Sequence, residues 1–171
     1  MLTTEVVLNF DKSILNDVVF IRRHSFHAGW EDGDDEEYYG KILKNGNNIS
    51  IFLKDKEKSV GYILAIPQND AVTELKNDDK FMHEDSLRYY IELVAILPEY
   101  RGKQGFSIML ATLERELKKK GILNISLHAR VSNSFNKIVG EKIKVTLVRR
   151  IDKWRYYNYE EPTDYIEGAF L

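Results

Sequence analysis

A mixed α/β (α+β) fold, with a central sheet of about seven strands flanked by about four helices, is what the apolar pattern of this chain predicts. Three observations carry that expectation. Ile91–Phe106 (IELVAILPEYRGKQGF) is an apolar strand that stops at Pro98, turns through Arg-Gly-Lys-Gln-Gly and runs straight into a helix with a clean apolar stripe. Period-two alternation and helical periodicity take turns along the chain, in the order β-α-α-β-β-β-α-β-α-β-β. No repeat, linker or low-complexity tract interrupts that order, so residues 1–171 read as one domain, long enough to bury a sizeable core.

Thr4–Phe10 alternates and reads as the first strand. Asp11 can cap a helix running to about Phe26, with Ile14, Leu15, Val18 and Ile21 or Arg22 at helical spacing. Asp34-x-x-Glu37 is a capping-box pattern for a second helix, which stops at Gly46. Asn48–Lys54 and Ser59–Ile66 form a hairpin over Asp55-Lys56-Glu57. Gln68–Ser86 is polar and reads as a loop, and Leu87–Leu97 is a long strand. From Lys103 to Lys120, the residues Phe106, Met109, Leu110, Leu113 and Leu117 make one apolar face, closed by Lys118–Lys120 and Gly121. Ile122–Val131 alternates as a strand, Asn133–Lys142 is a short helix, and Val145–Ile151 and Trp154–Phe170 supply the last strands.

Composition bounds the function. An apolar fraction of 43% excludes disorder, and the absence of cysteine excludes disulfides, thiolate metal sites and a cysteine nucleophile. Met1–Glu5 shows neither a basic nor an apolar leader region, and no apolar run approaches membrane length. A soluble cytoplasmic protein with no membrane partner is therefore expected. The net charge of -2 conceals an asymmetry. Residues 101–155 hold 14 Lys+Arg against 4 Asp+Glu, a net of +10, while residues 28–100 hold 8 against 16, a net of -8. A basic half suits a polyanion and an acidic half a cation, unless both are simply solvated faces. The basic residues carry no nucleic-acid-binding motif, so nucleic acid is not expected as a partner.

At the Arg-Gly-Lys-Gln-Gly turn a strand end, a helix N-terminus and two cationic side chains meet, with several main-chain N–H groups converging, which suits phosphate. A generic Gly-containing strand-to-helix turn is the alternative. The segment resembles the coenzyme A-binding motif of the GNAT superfamily of N-acetyltransferases, which reads strand, Pro-x-x-Arg/Gln-x-x-Gly-x-Gly, helix. In that register Pro98 and Arg101 match, and Gln104 and Phe106 stand where glycines are expected, with Gly102 and Gly105 offset beside them. A phenylalanine there requires an ordinary helical φ. Val60–Ala65 is similar to the family's third strand. Asn133 with Val139-Gly140-Glu141-Lys142-Ile143-Lys144-Val145 follows the family's Asn…Leu-Tyr-Glu-Lys-Leu-Gly-Phe segment, with Gly140 in place of the tyrosine. The resemblance implies a GNAT-like fold and acetyl-coenzyme A as co-substrate. It places Arg101, Gly102, Lys103, Gln104, Gly105 and Phe106 around the pyrophosphate, Val94, Ala95 and Ile96 along the pantetheine, and Asn133 against the cofactor. For Asn133 a helix N-cap is the alternative.

Transfer from a thioester to an amine requires that the amine lose a proton, the oxyanion be stabilised and the thiolate leave. The resemblance implies a main-chain N–H on Val94–Leu97 as the oxyanion donor, worth about 3 kcal/mol. Glu92, an acid in an apolar strand six residues before Pro98, is the candidate base, since burial raises a carboxyl pKa toward usefulness. A structural pairing with an arginine is the alternative. His128 is the second candidate, because an imidazole near pKa ~6.5 suits a base, although lone strand histidines are commonly packed or solvated. Gly140 removes the family's general acid, for which Tyr156, Tyr157 or Tyr159 are substitutes or merely core. The run Glu31–Glu37 can attract a cationic acceptor or complement a helix dipole. His24-x-x-His27 has no third ligand at motif spacing, so no metal site is expected.

The sequence thus points to a cytoplasmic N-acetyltransferase that moves an acetyl group from acetyl-coenzyme A directly to a primary amine, a small cationic molecule or a protein amine, with a homodimer left open. The rivals are a non-catalytic GNAT-fold binding or regulatory protein, and a transferase using another acyl-coenzyme A.

Overall fold

Strands β1 (Leu2–Val6), β2 (Ile49–Asp55), β3 (Lys58–Pro67), β4 (Arg88–Ile96), β5 (Asn124–Arg130), β6 (Ile143–Tyr156) and β7 (Tyr159–Phe170) hydrogen-bond in the order β1-β2-β3-β4-β5-β7-β6. Helices α1 (Lys12–Ser25), α2 (Asp35–Lys44), α3 (Gln68–Leu75), α4 (Gly105–Lys118) and α5 (Phe135–Lys142) intervene in this computed structural model, which describes residues 1–26, 35–156 and 159–171. The mixed seven-stranded sheet agrees with the sequence, and the described residues form five α-helices where about four were expected. α4 joins the parallel pair β4 and β5, the long crossover that parallel strands require. The chain forms two compact units, Met1–Ala65 with Leu93–Glu116, and Ile66–Glu92 with Leu117–Leu171. Among the described residues no helix is long and apolar enough to cross a membrane.

In the first unit, β1 starts two residues and ends four residues earlier than the alternation suggests. It pairs antiparallel with β2 from Leu2↔Asp55 to Val6↔Ile51, and beyond the bond from Val7 N to Ser50 O at 2.9 Å the chain leaves the sheet, with Leu8 84% exposed. Asp11 caps α1 as expected, its Oδ1 accepting from Ile14 N at 3.0 Å, and Leu15, Val18, Val19, Ile21 and Arg22 are buried. Asp34, the expected cap of α2, lies outside the described residues. Asp35 is buried against Arg22, Nη1 to Oδ2 3.2 Å, and Arg22 Nε also donates to Tyr39 Oη at 2.9 Å. β2 and β3 are buried almost throughout, which is why they read as near-continuous apolar runs. On α4, Met109, Leu110 and Leu113 are buried, each stabilising the fold by about 1.5–3 kcal/mol.

In the second unit, the expected loop Gln68–Ser86 contains α3 instead. Only Gln68 and Ala71 of that helix are buried, so no apolar stripe announces it. Its anchor is polar: Gln68 Nε2 donates to His83 O and Tyr165 Oη, both at 3.1 Å, and Gln68 Oε1 accepts from Ser126 Oγ at 2.5 Å. β6 runs on through Asp152 and Lys153 with a shift of register between Ile151 and Trp154, so the expected strand Trp154–Phe170 is the end of β6 followed by β7.

Candidate active site

β4 ends at Ile96, and the chain then folds through a single 3₁₀ turn, Pro98–Tyr100, closed by bonds from Tyr100 N to Leu97 O (2.9 Å) and Arg101 N to Pro98 O (3.2 Å). Two residues that follow adopt left-handed backbone, Gly102 at φ 74° and Gln104 at φ 62°. Gln104 therefore holds the conformation for which the motif prefers glycine, at a cost that a non-glycine residue bears. Gly105 suits the turn for a different reason, close packing against side-chain ends. A Cβ there would lie 2.6 Å from Leu53 Cδ2 and 3.3 Å from Ile96 Cδ1, so α4 starts hard against the strands. Phe106 takes no positive φ and is half-buried in the first turn of α4, as its position demands. The first N–H groups of a helix lack intrahelical carbonyls, and the N-terminus of α4 carries the positive end of its dipole.

The cationic side chains at the turn differ in their commitments. Lys103 is exposed, its ammonium 5.1 Å from the Tyr100 ring, with that of Lys58 5.8 Å from the same ring. Tyr100 Oη donates to Asp55 Oδ2 at 3.0 Å, which pushes the phenol above its ordinary value. Arg101 instead donates from Nε to Ile96 O (3.2 Å) and from Nη2 to Ser25 O (2.6 Å).

Main-chain directions along β4 follow from two contacts. Leu97 N donates to Val60 O at 2.9 Å, and a Cβ on Gly61 would lie 2.8 Å from Ala95 O, so Ala95 and Leu97 present their polar groups to β3. Alternation along a strand turns those of Val94 and Ile96 the other way. On that side the ladder with β5 covers Arg88↔Asn124, Tyr89↔Ile125 and Tyr90↔Ser126. Glu92, Leu93, Val94 and Ile96 are only half-buried although β4 lies in mid-sheet. A strand with apolar side chains and main-chain donors on that side is suited to an extended ligand.

The other expected site residues lie in the second unit. Glu92 sits on β4 two residues before Val94, on the same face by strand alternation. His128 is packed away: its side chain is 3% exposed and stacks on Trp154 at 4.0 Å. Its Nδ1 lies 2.8 Å from Tyr90 Oη and its Nε2 2.9 Å from Asp79 Oδ2, while Arg149 Nη2 reaches the same Asp79 oxygen at 2.7 Å. Burial pushes the imidazole below its ordinary value against the pull of Asp79. Burial pushes the Asp79 carboxyl up, but hydrogen bonds from His128 and Arg149 outweigh it and hold it at about 2. With Tyr90 donating to Nδ1 and Nε2–H donating to Asp79, the neutral ring is fully engaged. Sequence reading found His128 but missed Tyr90, Asp79 and Arg149; Asp79 stood in a stretch read as loop, where nothing marked it as buried.

Asn133 is exposed and its Oδ1 accepts from Phe135 N at 3.0 Å, so the side chain serves the start of α5, beside Ser134 at φ 59°. Of the acidic run, Asp35 meets Arg22, Glu36 meets Lys12 at 3.8 Å and Glu37 meets Lys41 at 3.4 Å; Glu31–Asp34 lie outside the described residues. His24 Nδ1 bonds Phe20 O at 2.7 Å, and His27 is outside the described residues. Tyr159 is 51% exposed, and Tyr157 is likewise not described.

The sequence profile of the Acetyltransferase (GNAT) family matches residues 15–137, from α1 into α5. The chain belongs to the GNAT family of acetyltransferases. Acetyl-coenzyme A is the co-substrate, in keeping with GNAT-fold acetyltransferases solved in complex with coenzyme A. Solved structures share this GNAT fold. The ribosomal-protein-S18-alanine N-acetyltransferase from Escherichia coli is 14% identical with a TM-score of 0.69, over 99% of this chain and 94% of that one. Aminoglycoside 6'-acetyltransferase type Ii is 15% identical with a TM-score of 0.67, over 100% and 97%. The PaiA N-acetyltransferase from Thermoplasma acidophilum, solved with coenzyme A, is 16% identical with a TM-score of 0.62, over 98% and 99%. A search of curated protein sequences returned no match.

Proposed function

We propose that residues 1–171 form one acetyltransferase domain that moves an acetyl group from acetyl-coenzyme A directly to a primary amine, a small cationic molecule or a protein amine. The observation that carries this reading is the β4–turn–α4 unit, where Gly102 and Gln104 are left-handed and Gly105 starts α4 close against Leu53 and Ile96. Amides at the start of α4, with Lys103, receive the pyrophosphate, and Val94 and Ile96 pair with the pantetheine as a further strand would. Fold neighbours that acetylate an aminoglycoside, spermidine or a ribosomal-protein alanine support an amine as acceptor without choosing among them.

In this reading Glu92 takes the proton from the acceptor ammonium, directly or through a water, leaving the nitrogen lone pair free to attack the thioester carbonyl. The N–H of Val94 or Ile96 stabilises the developing oxyanion, and Leu97 N is excluded from that role by its bond to Val60 O. Collapse breaks the carbon–sulfur bond, and the second proton on the acylated nitrogen passes to the departing sulfur or to water, leaving the neutral amide. The thiolate leaves without a tyrosine at position 140, which is tolerable because a thiol has a pKa of about 8.5.

Calorimetric titration with acetyl-coenzyme A, followed by thiol-release assays with a polyamine, an aminoglycoside and a peptide amine, tests the reading. Micromolar binding, about -8 kcal/mol, and turnover with at least one amine are expected. Binding without turnover on any amine favours the regulatory alternative, and no heat at all removes the donor site.

A further inference from the structure

We propose that Arg101 is a positioning residue that clamps the donor turn to the end of α1, and that it does not bind phosphate itself; this rests on the acetyl-coenzyme A reading given above. The sequence motif leads one to expect a phosphate ligand at this position, but the geometry points elsewhere. Arg101 Nε donates to Ile96 O at 3.2 Å, bridging across the 3₁₀ turn from the end of β4 to its own position. Its Nη2 donates to Ser25 O at 2.6 Å, in the last turn of α1. Both acceptors need such a donor. A carbonyl in the last turn of a helix has no intrahelical N–H partner and sits at the negative end of the dipole, where a cation is favoured. Ile96 O belongs to the side of β4 that turns away from β3.

The consequence is mechanical. One planar guanidinium fixes three chain segments, the end of β4, the turn and the C-terminus of α1, with two N–H vectors in a rigid fork. The turn it closes carries Gln104, a non-glycine residue, in a left-handed conformation, which holds its shape only when the surroundings over-determine it. Arg101 supplies that constraint before any ligand arrives, so the amides of residues 102–106 are already aimed. Positive charge toward the phosphates then comes from Lys103 and the α4 dipole.

Arg101→Lys separates the roles. Lysine keeps the charge but cannot span two carbonyls. If Arg101 is a clamp, R101K and R101A both weaken acetyl-coenzyme A binding by about 10- to 100-fold, measured well below the unfolding temperature. The salt dependence of the remaining affinity in R101K and R101A should match that of wild type, and hydrogen exchange at residues 102–105 should speed up in R101K. R101K binding within about threefold of wild type while R101A is weak would overturn the proposal in favour of a phosphate contact. A flatter salt dependence in R101A says the same. Wild-type affinity in both variants, with only a lower melting temperature, reduces Arg101 to a structural residue and also overturns it. Failure of the wild type to bind acetyl-coenzyme A removes the donor reading itself and this proposal with it.

Discussion

Glu92, the base in the proposed mechanism, stands at the point on β4 where the strand passes from burial at Arg88–Ile91 to half-burial. Glu92→Gln keeps the shape and removes the proton acceptor. Steady-state thiol release should fall about 10²–10⁴-fold while calorimetry shows unchanged acetyl-coenzyme A affinity. Unaltered turnover would make the glutamate structural. The turn gives a second test at this scale. Gln104 is left-handed at φ 62°, so Gln104→Gly should raise stability by up to about 1 kcal/mol in denaturant titration, whereas Gly102→Ala at φ 74° should lower it by about 1–2 kcal/mol. Register against the family pattern had placed Gln104 at a glycine position, and the backbone explains that placement. What the sequence could not convey is what each polar side chain bonds. Arg101, Asn133 and His128 all occupy expected positions, yet their hydrogen bonds run to Ser25 O and Ile96 O, to Phe135 N, and to Tyr90 and Asp79.

Elements with an apolar stripe or a capped end were legible, and those held by polar contacts were not. α4 announced itself through Met109, Leu110, Leu113 and Leu117, and α1 through Asp11. α3 did not, because a glutamine and an alanine are its buried residues. The division of β6 from β7 was misplaced: one expected strand ended at Ile151 and the next began at Trp154, whereas Asp152 and Lys153 sit at an irregularity inside one long strand. α5 carries the clearest element-level prediction. Gly140 lies in that helix with no positive φ and nothing within 4 Å of where a Cβ would stand. Gly140→Ala should therefore stabilise the protein by about 1 kcal/mol, read as a higher melting temperature. Gly140→Tyr restores the residue type that the family's motif carries there. A rise in turnover with unchanged donor affinity would show that protonation of the leaving thiolate limits the wild-type rate; greater stability without a gain in rate would show that it does not.

At the scale of the molecule, the seven-stranded mixed sheet and the strand–turn–helix unit were readable because both rest on apolar periodicity and a glycine-rich turn, while the buried polar network of the second unit was invisible because its members are far apart in sequence. That network contributes to the acid stability. The His128 ring faces Tyr90 from β4, Asp79 from the segment after α3, Arg149 and Trp154 from β6 and Tyr165 from β7, with Asp78 contributing at longer range. Its folded pKa is lowered below the ordinary 6.5, so the unfolded chain binds the proton more readily and stability declines as pH falls below about 6.5. Asp79 works over a lower window. Its folded pKa of about 2 lies below the ordinary 3.8, so its stabilisation is complete above that value and is lost as pH drops from there toward 2. Thermal melts should thus show a first decline between pH 7 and 5 and a second below pH 4. His128→Gln removes the group that titrates in the upper window while keeping a side chain able to donate to Asp79. Its melting temperature should be lower at pH 7 but nearly flat from pH 7 to 5, with the decline below pH 4 retained. An upper decline as steep as in the wild type would mean that another group carries the titration and that His128 is not the acid-sensitive element of the core.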